Sequence, residues 1–175
     1  MKHFSLAIIV GALFGTSGLH AQIATTHIGE SKQMYTSIKD NLMAMADKMP
    51  GEGYSFRPTA DIRSFGQFVA HAADVQARFC STAGGMQKSV SAGSKTSQAD
   101  LVVALKSSFE ICDASWDSLN DSNVNEPASL GPLTGSKLML LEFNTTHSNE
   151  EYGYMSVYLR LKGIVPPSSA ARGGH

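Results

Sequence analysis

The sequence predicts an all-α protein, a four-helix bundle with a long crossover between helices 2 and 3. Four long segments repeat apolar residues at three- and four-residue spacing. No segment alternates apolar and polar residues in the way a half-buried strand does. The connection from Gly84 to Thr96 is longer than a helical hairpin needs. Extended, it spans about 40 Å, enough to return along a bundle and start the third helix parallel to the second.

The first helix is predicted from about Thr26 to Met49, with Ile28, Met34, Ile38, Leu42, Met45 and Met49 on one stripe and Pro50-Gly51 ending it. The second is expected to open with Thr59 as N-cap and Asp61 in its first turn. Its stripe is Ile62, Phe65, Phe68, Ala72, Val75 and Phe79, and Gly84-Gly85 stops it. Ser97-Gln98-Ala99-Asp100 has capping-box spacing and starts the third helix, whose buried face is Leu101, Leu105, Phe109, Cys112, Trp116 and Leu119. A polar loop with Pro127, Gly131 and Pro132 leads to the fourth, from about Ser136 to Lys162. Gly163 suits the position after its C-cap, and Pro166-Pro167 prevents continuation. The residues from Ser168 to His175 read as a disordered tail.

Ahead of these helices lies a segment that reads as an address rather than as structure. Met1-Lys2-His3 is a short basic start, Leu6 to Phe14 is apolar apart from glycine, and Leu19-His20-Ala21 offers a small residue for cleavage. The apolar run is shorter than the ~20 residues of a bilayer crossing. A signal peptide over residues 1–21 is therefore expected, and a periplasmic or secreted location. Taking 21 residues from the chain of 175 leaves 154, one domain with a continuous core. The signal carries one lysine and no acid, so 13 basic and 15 acidic residues remain, a charge of −2. That balance gives no reason to expect nucleic acid or an acidic membrane as partner. No membrane span is expected in the mature chain, the small-molecule substrate is not specified, and a homodimer is allowed.

The only cysteines are Cys80 and Cys112. In an exported chain they could form a disulfide, or remain two buried thiols packed as small hydrophobes. With the second and third helices parallel they lie at similar depth; in a tight antiparallel hairpin they would be well over 10 Å out of register. The bridge and the crossover stand or fall together.

The chemistry-bearing residues fall on the second and fourth helices. His147 and Glu151 are four residues apart, one above the other on a stripe of Leu140, Phe143, His147, Glu151, Tyr154 and Tyr158. His71 lies between Phe68 and Val75, near the midpoint of the second helix. Polar groups of this kind are costly to bury unless paired or bound to a metal. Two imidazoles at matching depth on different helices can converge on one ion, with Glu151 as third ligand. The set suits a divalent zinc, nickel or iron ion and leaves open positions for water or substrate. The plain alternatives are satisfied core histidines and a Glu151 facing a surface lysine. Glu150 is within reach of the same face, Asp74 either orients His71 or faces water, and His27 reads as surface. No Gly-x-Ser-x-Gly elbow or phosphate-binding glycine loop is present.

Three stretches, Tyr54-Ser55-Phe56-Arg57-Pro58, Ser64-Phe65-Gly66-Gln67-Phe68-Val69-Ala70-His71 and His147-Ser148-Asn149-Glu150-Glu151-Tyr152-Gly153, together with Tyr158-Leu159-Arg160 and Gly163-Ile164-Val165-Pro166-Pro167, resemble the DinB superfamily. The resemblance covers Ile28 to Ser168. It implies up-down-down-up order and a metal site of three histidines, one mapping onto His71 and the first of a His-x-x-x-His pair mapping onto His147. At the third position this chain has Glu151, which changes the charge by one and favours a harder ion. The resemblance further implies a metal-dependent enzyme akin to the family's thiol-dependent transferases and isomerases, and the expected export turns this toward a hydrolase that uses metal-bound water, catalytic residues beyond the ligands being unspecified. The thiol-dependent chemistry of characterised relatives fits poorly with export, where small thiols are scarce or oxidised. The alternative is a noncatalytic envelope binding protein with a degenerate metal site.

Overall fold

The computed structural model describes residues 26–170. The expected signal segment over 1–21 lies outside them, as do residues 171–175 of the expected tail. Among the described residues, the order is α1 (His27–Lys48), a 3-10 turn (Gly51–Ser55), α2 (Phe65–Ala83), a 3-10 turn (Ala92–Ser94), α3 (Gln98–Ser118), β1 (Pro127–Leu130), β2 (Leu133–Ser136), α4 (Lys137–Leu161) and α5 (Pro167–Ala170).

Each long helix starts at a hydroxyl side chain that accepts from the N–H three residues on: Thr26, Ser64, Ser97 and Ser136. Thr59 is not the cap of α2. Ser64 holds that place because it forms a reciprocal box with Gln67: Gln67 N–H donates to Ser64 Oγ, and Ser64 N–H donates to Gln67 Oε1 at 2.8 Å. Residues 57–64 are a turn in front of the helix, with Ile62 exposed. At the other end of the fold, α4 closes as a Schellman motif. Gly163 N–H donates to Arg160 and Ile164 N–H to Leu159, with Gly163 at φ 73°.

The polar loop expected before α4 contains a small antiparallel sheet, pairing Pro127 with Ser136 and Leu130 with Leu133. Gly131, at φ 59°, opens its two-residue turn. Exposed and half-buried residues alternate over the four residues of β1 but only over the first three of β2. The class is mostly helical, as expected, with one small hairpin added. Ser168, expected in the disordered tail, lies in α5: its N–H donates to the Tyr152 hydroxyl at 3.0 Å, and that hydroxyl donates to Ser168 Oγ at 2.8 Å.

Contacts along the helices set their relative directions. Gln76 Nε2 donates to Ser108 Oγ at 3.0 Å, and four residues further on each helix Cys80 and Cys112 are disulfide-bonded with Cα atoms 4.8 Å apart. Numbers rise together, so α2 and α3 run the same way. Between α2 and α4 they run oppositely: Phe79 stacks on Phe143, His71 faces His147, and Phe68 meets Tyr158 edge-on. Helices α1 and α3 are also opposed, with Tyr35 Oη donating to Asp113 and Gln98 Nε2 donating to the Met49 carbonyl. The core between them holds Trp116, Tyr35, Phe65, Leu105, Leu140 and Leu159, with Trp116 stacked on Tyr35.

The inward stripe of α4 is turned from the expected one. Leu140, Glu151 and Tyr158 are buried, but Phe143 is 45 % exposed and Tyr154 48 %. Their places on the core side are taken by Asn144, Thr145, Ser148, Tyr152 and Met155. Met34, expected on the buried stripe of α1, is likewise exposed. In each case the reading followed apolar side chains, whereas the packed face includes small polar ones. Among the described residues no helix is long and apolar enough to cross a membrane.

Candidate metal centre

The antiparallel α2–α4 seam brings His71, His147 and Glu151 together. Each offers one ligand atom, and these atoms all lie within 4.8 Å of one another. Glu151 Oε1 stands 3.5 Å from His147 Nε2 and 3.7 Å from His71 Nε2. The imidazole centroids are 5.3 Å apart with planes inclined at 59°. A tetrahedral zinc shell with ligands at ~2.1 Å has edges of about 3.4 Å, so the two carboxylate separations are already those of a coordination polyhedron. The side chains of His71 and His147 are 30 % and 20 % exposed and that of Glu151 only 4 %. The trio thus has a buried floor and an open rim.

Its hydrogen bonding is incomplete. Glu151 Oε2 is buried without a partner. Among the described residues, neither imidazole makes a hydrogen bond to protein. Burial pushes the Glu151 carboxyl up to about 7, opposed by the Arg63 guanidinium and reinforced by Glu150. Burial also pushes both imidazoles below their ordinary value; Arg63 lowers them further, while Asp74 and Glu150 act in the opposite sense on His71 and His147 respectively. Although the three groups are close enough for ion pairs, the desolvated floor favours their uncharged forms. A carboxylate with Oε1 facing two imidazoles and Oε2 buried without a partner is a donor set that a divalent cation would satisfy. The residues present fit such an ion.

Of the other candidates, Asp74 does not hold His71. Its carboxylate accepts from Ala92 N–H at 2.7 Å and Gly93 N–H at 2.9 Å, anchoring the crossover to α2. His27 is on the surface, 3.2 Å from Glu142. Glu150 points outward and accepts from the Tyr154 hydroxyl at 2.7 Å.

Arg63 was not singled out from the sequence. It lies just before the α2 cap, its carbonyl accepts from the Tyr158 hydroxyl at 2.6 Å, and its guanidinium sits 5.7 Å from the Phe68 ring centroid. Its charge reaches all three candidate ligands. Recognising Ser64 rather than Thr59 as the cap would have placed it at the entrance to the helix that carries His71.

Three comparisons bear on this arrangement. The fold is similar to that of a DinB-like protein from Bacillus cereus ATCC 10987, with a TM-score of 0.67 at 15 % identity over 78 % of this chain and 93 % of the other. It is also similar to a DinB-like protein from Bacillus subtilis, with a TM-score of 0.64 at 19 % identity over 78 % and 94 %. At such identities the likeness concerns the fold. No curated protein is significantly similar in sequence. The sequence pattern of the DinB family matches residues 25–173, almost the whole chain, and the chain belongs to that family.

Proposed function

We propose that this DinB-family protein binds one divalent metal ion through His71 Nε2, His147 Nε2 and the Glu151 carboxylate, and acts as a metal-dependent hydrolase or transferase on a small molecule. The observation that carries the proposal is the convergence of three ligand atoms around a buried carboxylate whose Oε2 has no other partner. The scaffold is read as a four-helix bundle of up-down-down-up order over residues 22–167, supported by the parallel α2–α3 pair and the antiparallel α2–α4 and α1–α3 pairs. The expected leader over residues 1–21 supports export to the periplasm or beyond.

When bound, the ion supplies Lewis acidity, lowering the pKa of a water or thiol that coordinates it. The protein's own part is positional and electrostatic. His71 and His147 approach from opposite helices, so the α2–α4 packing sets their separation. Glu151 would hold the ion from the floor as its one carboxylate ligand, supplying the negative charge of the set. The half-exposed imidazole edges leave the rim open to a substrate.

The test is metal content by plasma emission spectroscopy on untagged mature protein, with thermal unfolding before and after chelation. Near-stoichiometric zinc, nickel or iron is expected, lost in His71→Ala and His147→Ala. At a metal concentration 100-fold above Kd, loading should stabilise the fold by about 2.7 kcal/mol. Metal-free protein whose unfolding does not respond to these ions would overturn the reading.

A further inference from the structure

The candidate metal centre opens onto a cleft that the three ligands do not account for. Beside His71 lies a cavity of about 320 Å³ lined by His71, Asp74, Val75 and Arg78. Asp74 and Arg78 also line a neighbouring groove of about 480 Å³ that continues over Ser81 to Lys88 and Ser91 of the crossover. The two spaces share Asp74 and Arg78 in their walls and together make an open channel on the surface along α2, from His71 to the crossover loop.

The charges along this channel do not cancel. Asp74 is the acid of its wall, and both its oxygens are taken by backbone N–H groups of Ala92 and Gly93. Although Arg78 follows Asp74 by one helical turn, the two form no ion pair. Among the described residues neither the Arg78 guanidinium nor the Lys88 ammonium has a hydrogen-bonding or ion-pair partner. On the opposite rim Arg63 rests on Phe68, also without an acid, while Glu150 is bonded by Tyr154. A cation on a helix gains from an acid three or four residues away; here that acid, Asp74, holds the loop instead, and Arg78 stays exposed. Arg78 is seven residues from His71, two turns along the same face, or about 10 Å.

We propose that the substrate carries an oxyanion, a carboxylate or a phosphoryl group, which Arg78 binds while the reacting group sits at the His71–His147–Glu151 centre. Guanidinium is suited to this because its planar fork matches both oxyanions with two parallel hydrogen bonds. Lys88 and Arg63 add to the attraction from the far groove and the opposite rim. Arg78 thus selects among metal-binding molecules by the charge at their far end. The inference rests on the metal reading above.

The experiment uses the zinc-loaded protein, its metal content measured first, and alkyl hydroxamates of graded length that bind metal at one end and finish in a carboxylate, a phosphonate or a primary amide. By calorimetry, at least one oxyanion-tipped member is expected to bind about tenfold or more tighter than its amide counterpart, the range of a charge-assisted hydrogen bond. The better of the two oxyanions identifies the source of the charge. Arg78→Gln should abolish the preference for an oxyanion over an amide, while Arg78→Lys keeps part of it. Equal affinity for charged and neutral tips, a preference that survives Arg78→Gln, or no hydroxamate binding to loaded protein would each overturn the inference alone. Failure to take up metal would remove the functional reading and the inference with it.

Discussion

The two ends of the α2–α4 seam treat buried polar groups in opposite ways. Toward the C-terminal end of α2, the buried polar side chains are tied to one another across the helices. Gln76 donates to Ser108, Ser148 donates to Gln76 Oε1, and the Asn144 amide lies over both sulfurs of the Cys80–Cys112 bridge at 3.6 and 3.8 Å, only its Oδ1 being unpartnered. Two turns away, His71, His147 and Glu151 are brought just as close but make no hydrogen bonds with one another or with their surroundings. Buried polar groups in folded proteins are almost always paired. The first cluster therefore stabilises the bundle, whereas the second is kept in place by it with its donors left unpaired.

Breaking the bridge tests the stabilising end with the largest effect. Replacing both cysteines by serine should lower stability by about 3 to 4 kcal/mol, measured by urea unfolding. Metal stoichiometry should survive at temperatures where the variant stays folded, since the ligands come from α2 and α4 and the bridge joins α2 to α3. Loss of metal from folded variant would show that the two ends are one unit.

At the other end the sign reverses. In the metal-free protein Glu151 has a folded pKa raised from 4.5 to about 7. Its contribution to stability is present below 4.5 and lost as pH rises through about 7. The two imidazoles, with lowered folded values, act oppositely: their contribution is present above their ordinary value of 6.5 and lost as pH falls through the lowered one. Glu151→Gln should therefore stabilise chelated protein by about 1 to 2 kcal/mol at pH 8 and leave it little changed at pH 4, while preventing metal binding. A variant less stable than the parent at pH 8 would mean that the carboxylate is satisfied within the fold.

The smallest change sharpens the contrast between neighbours. Ser148 and His147 are adjacent on α4, but Ser148 is buried and bonded to Gln76. Ser148→Ala should cost about 1 kcal/mol by stranding the Gln76 oxygen, with metal affinity unaltered. An equal loss of metal affinity would place Ser148 in the site rather than beneath it.

Much of this was legible in the residues. The helices are bounded by Ser and Thr caps, glycine and proline, all local signals, and the misplaced cap of α2 arose because Thr59 and Ser64 both have the right chemistry. Only the reciprocal bond to Gln67 separates them. The hairpin escaped because four residues per strand are too few for a period of two to emerge from a polar loop. On α4, apolar periodicity pointed to Phe143 and Tyr154, but the packed face runs through Asn144, Thr145 and Ser148. Asn144 and Ser148 belong there because the disulfide and Gln76 on facing helices provide their partners, which a single helix cannot reveal, whereas Thr145 donates to the Leu141 carbonyl of its own helix.

What the sequence determined by itself was the inventory: the helical class, the long crossover, the pair of cysteines, and a candidate ligand trio in which glutamate stands at the third position. Spacing along one chain is sufficient for these, since caps and periodicity act within a few residues. The tertiary structure decided which polar groups find partners. It joined Asp74 to the crossover rather than to His71, set Arg63 before the helix, left Arg78 without an acid, and buried the Glu151 carboxylate with one oxygen unsatisfied. Those outcomes depend on the relative rotation and depth of α2, α3 and α4, and the energy that fixes rotation comes from packing between helices, not from the residues of any one of them.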